Sequence, residues 1–200
     1  MEQIDSILHY WFGNAEKEAL PSEHRIWIWF SHDLSLEAEV KNRFEENLLS
    51  AAQGKYDDWK DSPRGGLALI ILLDQFSRRI YYNSPMSFAQ DSKALRVCLD
   101  GIDQSYDHQL SLIERVFFYF PLMHAESLDM QTLSVRAYQM LATIAFAETR
   151  PLFERFLEQA ISCYDQIKRF NRFPDRNEIL NRNSTEAELA FLKHEGDVAA

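Results

Sequence analysis

Cysteine is almost absent from this chain. The two present among 200 residues, Cys98 and Cys163, have no paired spacing. That argues against a disulfide framework and a cysteine-built zinc site, and it suits a reducing cytoplasm. Glycine and proline are scarce too, six of each, which leaves little turn chemistry for strands and fits helices with short connections. The longest clean apolar run, LALIILL at 67–73, falls far short of the roughly 20 residues that span a bilayer. The start, MEQIDSILHYWFG, is acidic and amphipathic, unlike a secretion leader. A cytoplasmic chain with no membrane role is the expectation. Positive charge is in deficit as well: 21 Lys and Arg face 31 Asp and Glu, a net −10. Nucleic-acid binding rests on cationic contacts to phosphate, so no nucleic-acid partner is expected. No G-x-S-x-G, Walker loop or G-x-G-x-x-G occurs, and neither a cofactor nor a metal is expected.

What is present is apolar and periodic. Hydrophobic residues make up 46% and aromatics 13%, enough for a packed core rather than a disordered chain. One domain over 1–200 suits the length, with a frayed tail from about 195. Ile4, Ile7, Leu8 and Trp11 fall at helical spacing before Gly13. Leu36, Val40, Phe44 and Leu48 make a second stripe, stopped by Gly54. Ser62-Pro63 and Ser84-Pro85 each read as an N-cap with proline in the first turn. The second should open a helix through Phe88, Leu95, Leu99 and Ile102. Pro121 must kink or end the helix begun by Leu110, Ile113 and Phe117. Two apolar faces between Leu128 and Ala145 predict a helix buried on both sides. Pro151 starts a long helix that stops before Pro174, and Thr185 with Glu188 forms a capping box. The chain is therefore all-α, with about eight or nine helices in stacked antiparallel pairs.

Several polar residues interrupt these apolar faces. Asp91 lies between Phe88 and Leu95, Gln131 between Leu128 and Val135, and Asp74 directly follows LALIILL. A buried carboxylate needs a partner, and arginine's fork satisfies both oxygens. Asp74 and Arg78, four apart, can pair on one helix face. His124 and Glu126 resemble the H-x-E of zinc deaminases, but the later P-C-x-x-C that chemistry needs is missing. On a continuous helix positions i and i+2 point about 200° apart, so the two share a target only if the backbone breaks.

The stretch FNRFPDRNEILNR, 170–182, concentrates arginine in an acidic chain. Asp165–Arg169 and Glu178–Arg182 have the spacing of local ion pairs. Arg172 and Arg176 have no such neighbour, and Pro174 between them breaks the helical spacing, so both can turn toward one point beside Asn177. They suit either a carboxylate or phosphate ligand, or internal acids among Asp74, Asp91 and Glu126.

HYWFG (9–13), LALIILLDQFSRR (67–79), FAQDSKAL (88–95), FYFPLMHAESLDMQ (118–131) and RFNRFPDRNEILNRNSTEAE (169–188) resemble an uncharacterised, mostly bacterial family, domain of unknown function 924. The resemblance implies a tetratricopeptide-like, right-handed superhelical all-α array and carries no established reaction. The family pattern has proline at Ser77, asparagine at Arg79, glycine at Asn171 and Asn181, and histidine at Asp175 and, upstream, at Cys163. A family site made of Asp74, Arg78, His124, Glu126, Arg172, Arg176, Asn177 and Arg182 is retained here, whereas one using those two histidines is altered.

Three functions compete. The first is a groove lined by those Arg, Asn and His residues that holds an anionic small molecule or a peptide carboxylate. The second is a hydrolase-like enzyme with His124 as acid–base and Glu126 or Asp74 as its partner. The third is a scaffold for protein partners whose polar cluster is purely architectural.

Overall fold

The computed structural model describes residues 2–14, 21–31 and 33–198. Twelve α-helical segments occur among them. They are α1 (Glu2–Phe12), α2 (Glu23–Phe30), α3 (Leu34–Ala52), α4 (Pro63–Ile70), α5 (Ser77–Ile80), α6 (Asp91–Asp103), α7 (Leu112–Phe118), α8 (Phe120–Met123), α9 (Leu128–Ile144), α10 (Arg150–Phe170), α11 (Arg176–Ile179) and α12 (Glu186–Val198). Three of these, α5, α8 and α11, are single turns of four residues; apart from α2, the others correspond to the helices that periodicity and caps predict. No strand occurs among the described residues.

The caps behave as the side chains dictate. Gly13 closes α1 at φ +57° and gives its N–H to the His9 carbonyl at 2.8 Å. Ser62 Oγ accepts from Gly65 N at 3.2 Å, with Pro63 in the first turn of α4. Thr185 and Glu188 make the reciprocal box that opens α12. That helix continues to Val198, through most of the expected tail; residues 199–200 lie outside the described ones.

The core is built around one rod. Helix α4, a π-helical turn (Ile71–Phe76) and α5 follow each other without a break. Every residue from Leu67 to Asp74 is fully buried. Helices α1, α3, α6 and α7 pack against this rod. Trp11, Phe76 and Phe117 meet edge-on in the centre, with Phe117 5.5 Å and Phe76 5.6 Å from Trp11. Helices α9 and α10 form a long antiparallel hairpin that joins the rest through α8.

Two expectations change. Ser84-Pro85 opens only a 3-10 turn, Pro85–Phe88, and α6 begins afresh at Asp91. Asp91 therefore stands in the first turn of a helix, where the dipole favours an acid. Helix α9 packs against α10, α8 and α7, with Ala137, Tyr138, Leu141 and Ala142 buried and Met130, Leu133 and Val135 partly buried against the core, but Leu128 and Ile144, one from each expected face, are exposed. No described helix is long and apolar enough to cross a membrane.

Candidate functional site

The site starts where the rod departs from α-helical geometry. A π-helical turn inserts an extra residue and is frequent at functional positions. Asp74 lies in this one with no solvent exposure. Its Oδ1 is 3.0 Å from Arg78 Nη1 and 2.8 Å from His124 Nδ1, and Gln75 Nε2 donates to its Oδ2 at 2.6 Å. Burial works to raise the Asp74 pKa, but Arg78 and His124 outweigh it and hold the carboxyl below the usual range.

His124 caps the single turn α8, in which Pro121 is the second residue. Its ring stacks on Phe120, 5.3 Å away. Burial, helped by the Arg78 charge and opposed by Asp74, lowers its pKa, so the imidazole is neutral at pH 7. With an ionised carboxylate at Nδ1, that nitrogen carries the proton and Nε2 keeps a free lone pair. Nε2 makes no hydrogen bond among the described residues.

Arg78 then bridges outward to Asp91 through both Nη atoms, at 2.8 and 2.9 Å. Arg176 approaches Asp91 from α11 at 3.4 Å and gives Nη2 to the His124 carbonyl at 3.0 Å. Its guanidinium lies over Phe173 at 4.4 Å and Phe88 at 4.8 Å.

The remaining residues nominated from sequence go elsewhere. Arg172 grips Glu188 with Nε at 2.6 Å and Nη2 at 2.8 Å, and reaches the Asn183 carbonyl, so it ties the turn to α12. It does not converge with Arg176, because the αL residue Asn171 and the Pro174 break send the two side chains to different acids. Arg182 takes Glu126 in a fork at 2.7 and 3.0 Å, not its local neighbour Glu178. Glu126 also accepts from Phe173 N at 2.8 Å. The backbone does break after α8, yet His124 and Glu126 serve different partners. Asn177 is buried and donates to Ser184 Oγ at 3.0 Å, an internal link. Gln131 is internal too, giving its amide to the Met123 and Ala125 carbonyls at 2.6 and 2.9 Å.

Three clefts meet at His124. One of about 460 Å³ has Trp29, Phe30, Tyr82 and Phe120 as apolar wall and Gln75, Arg78, Arg79, Glu37 and Asp175 as polar lining. A second of about 320 Å³ adds Cys163 and Arg176. A third of about 490 Å³ has Asp91, Glu126 and Arg176. Burial pushes the Cys163 thiol up to about 11, so it stays protonated rather than nucleophilic. No group of three or more His, Cys, Asp and Glu side chains among the described residues could hold a metal ion. Sequence reasoning missed Gln75 and Arg79 as site residues. Their signal was the polar run Asp74-Gln75 and Arg78-Arg79 directly after the apolar rod.

The fold and this site define an all-helical protein with a histidine–aspartate pair at the junction of three clefts. The chain belongs to the family described as bacterial protein of unknown function (DUF924), whose model matches residues 7–196. A solved structure of a protein of unknown function from Agrobacterium tumefaciens is similar to it: 29% identity, TM-score 0.79, covering 96% of this chain and 98% of that one. No curated protein matches.

Outside α5, the departures from the family pattern fall into two kinds. Asn171 and Asn181 stand at φ +58° and +53°, where glycine is at ease and asparagine is among the best-tolerated substitutes. Cys163 and Asp175, in contrast, line one cleft together with His124.

Proposed function

We propose that this chain is a small-molecule enzyme in which His124 is the general acid–base and Asp74 its positioning partner. The observation that carries the reading is the 2.8 Å contact between His124 Nδ1 and the fully buried Asp74. It supports a fixed tautomer with Nε2 offered to the cleft of about 460 Å³. In a hydrolytic step Nε2 takes a proton from water as the water attacks, then returns it to the leaving group. Asp74 steadies the imidazolium formed in between, with Arg78 balancing the carboxylate charge. Asp74 thereby replaces Glu126 as partner, since Glu126 is held by Arg182 and Phe173.

The arginine stretch reads as architecture in this scheme, because Arg172, Arg176 and Arg182 each already face a carboxylate. Two isolated free thiols support a reducing, cytoplasmic location. The α9–α10 hairpin supports a tetratricopeptide-like stacking.

The test is a screen of small carboxylic and phosphoric esters with wild type, His124→Gln and Asp74→Asn. Both variants should lose about 10²–10⁴ in kcat/KM, the usual contribution of a positioned acid–base. Wild-type turnover should fall on acidification as His124 protonates, below the ordinary histidine range. Equal turnover by wild type and His124→Gln would falsify the reading.

A further inference from the structure

Arg79 is the arginine of this cleft that makes no ion pair with an acid among the described residues. Arg78 faces Asp74 and Asp91, Arg176 faces Asp91, Arg172 faces Glu188 and Arg182 faces Glu126. Arg79 makes no ion pair among the described residues. Its Nη1 donates to the Ser31 carbonyl at 3.2 Å and its Nη2 to the Ile28 carbonyl. Its guanidinium lies over the Trp11 ring at 5.6 Å. The other N–H groups of the fork have no acceptor among the described residues, and the side chain lines the same cleft of about 460 Å³ as His124.

A guanidinium in this position is poorly balanced. Carbonyl dipoles at the end of α2 offset part of its charge, and burial works to lower its pKa, with Tyr10 and Glu37 opposing from further away. A half-buried cation with unused donors and no ion-pair partner within reach among the described residues gains most from an incoming anion. Glu37 and Asp175 also line this cleft. Their charge disfavours a dianion and leaves a monoanion as the better match. Trp29, Phe30, Tyr82 and Phe120 offer an apolar, largely aromatic wall to the rest of the ligand.

The geometry points to Arg79 as the anion-recognition residue of this cleft, taking the carboxylate of a small molecule with an aryl or alkyl body. This deepens the catalytic reading above and rests on the same cleft: the carboxylate docks at Arg79 while the reacting atom faces His124. The arginines of the 170–182 stretch have no part in it; that stretch contributes only Asp175 and Ile179 to the lining.

Calorimetric titration of the full chain with phenylacetate, phenylacetamide and phenyl phosphate tests this. Phenylacetate should bind about tenfold or more tightly than the neutral amide, as expected for a charge-assisted hydrogen-bonded pair. Phenyl phosphate should bind more weakly than phenylacetate. Arg79→Gln should erase the preference over the amide, and His124→Gln should keep it. Loss of turnover with retained carboxylate selectivity thus separates failure of catalysis from failure of recognition. Because Arg79 also ties α5 to α2, the Arg79 Nε–Hε resonance of wild type gives a second readout, and it should shift on adding phenylacetate. Equal binding of acid and amide overturns the assignment. So does a preserved preference in Arg79→Gln, a stationary Arg79 resonance, or no binding of aryl or alkyl carboxylates at millimolar concentration.

Discussion

Asp74 and His124 have pKa values displaced in the same direction, downward, and the consequence for stability has one sign. For His124 the folded value lies below the ordinary 6.5. Its contribution is complete above that pH and is lost as the pH falls toward and through the folded value. Asp74, Glu126 and Glu188 are also depressed, so their contributions disappear only at lower pH, below the ordinary carboxylate range. Acid unfolding should therefore come in two stages. His124 titrates against Asp74, Arg78 and Asp91, and His124→Gln should remove the upper stage alone. Melting temperatures measured from pH 7.5 to 4.5 would show it; an unchanged upper stage in that variant would contradict the account.

At the scale of elements, the rod depends on close approach at its first turn. A Cβ on Gly65 would lie 2.1 Å from the Trp59 carbonyl oxygen, a backbone atom that cannot move aside cheaply. A Cβ on Gly66 would meet only Phe118 at 3.8 Å and Val97 at 3.9 Å, ordinary contacts. Gly65→Ala should thus cost about 1–3 kcal/mol through overpacking. Gly66→Ala should be neutral or gain up to about 1 kcal/mol from helix propensity. Urea unfolding of the two variants reads the difference, and similar effects from both would rule out the steric argument. The two glycines also illustrate what local reasoning can miss. A glycine pair at a helix start suggests an anion cradle, yet these are buried and Gly65 makes room for the backbone of the 3-10 turn Asp57–Asp61.

Across the whole molecule, ion pairs tie distant segments together. Arg176 joins α11 to α6 and to the end of α8, and Glu126 with Arg182 fastens the loop after α8 to the last turns. Removing Arg176 leaves the His124 carbonyl without its side-chain donor, takes one of two arginines from Asp91 and opens the space between Phe88 and Phe173. Arg176→Ala should cost about 3 kcal/mol, the lower end for a broken buried pair, because Asp91 keeps Arg78. Little loss in denaturant unfolding would return this arginine to the ligand-binding reading.

Helical periodicity and capping residues determined the all-α class, most helix locations and the Asp74–Arg78 pair. These features arise within one or two turns, where spacing alone brings groups together. The turn at Asn171 to Pro174 was equally legible, but the direction of its arginines was not. Nothing local to Arg172 or Arg182 distinguishes Glu188 and Glu126 from nearer acids; only the return of α12 and of the loop after α8 does so. Asp74 and His124 are 50 residues apart, and Arg79 finds its carbonyl partners across a similar distance. Long-range packing selected those partners because burial makes each polar group seek whichever acceptor the fold carries within reach.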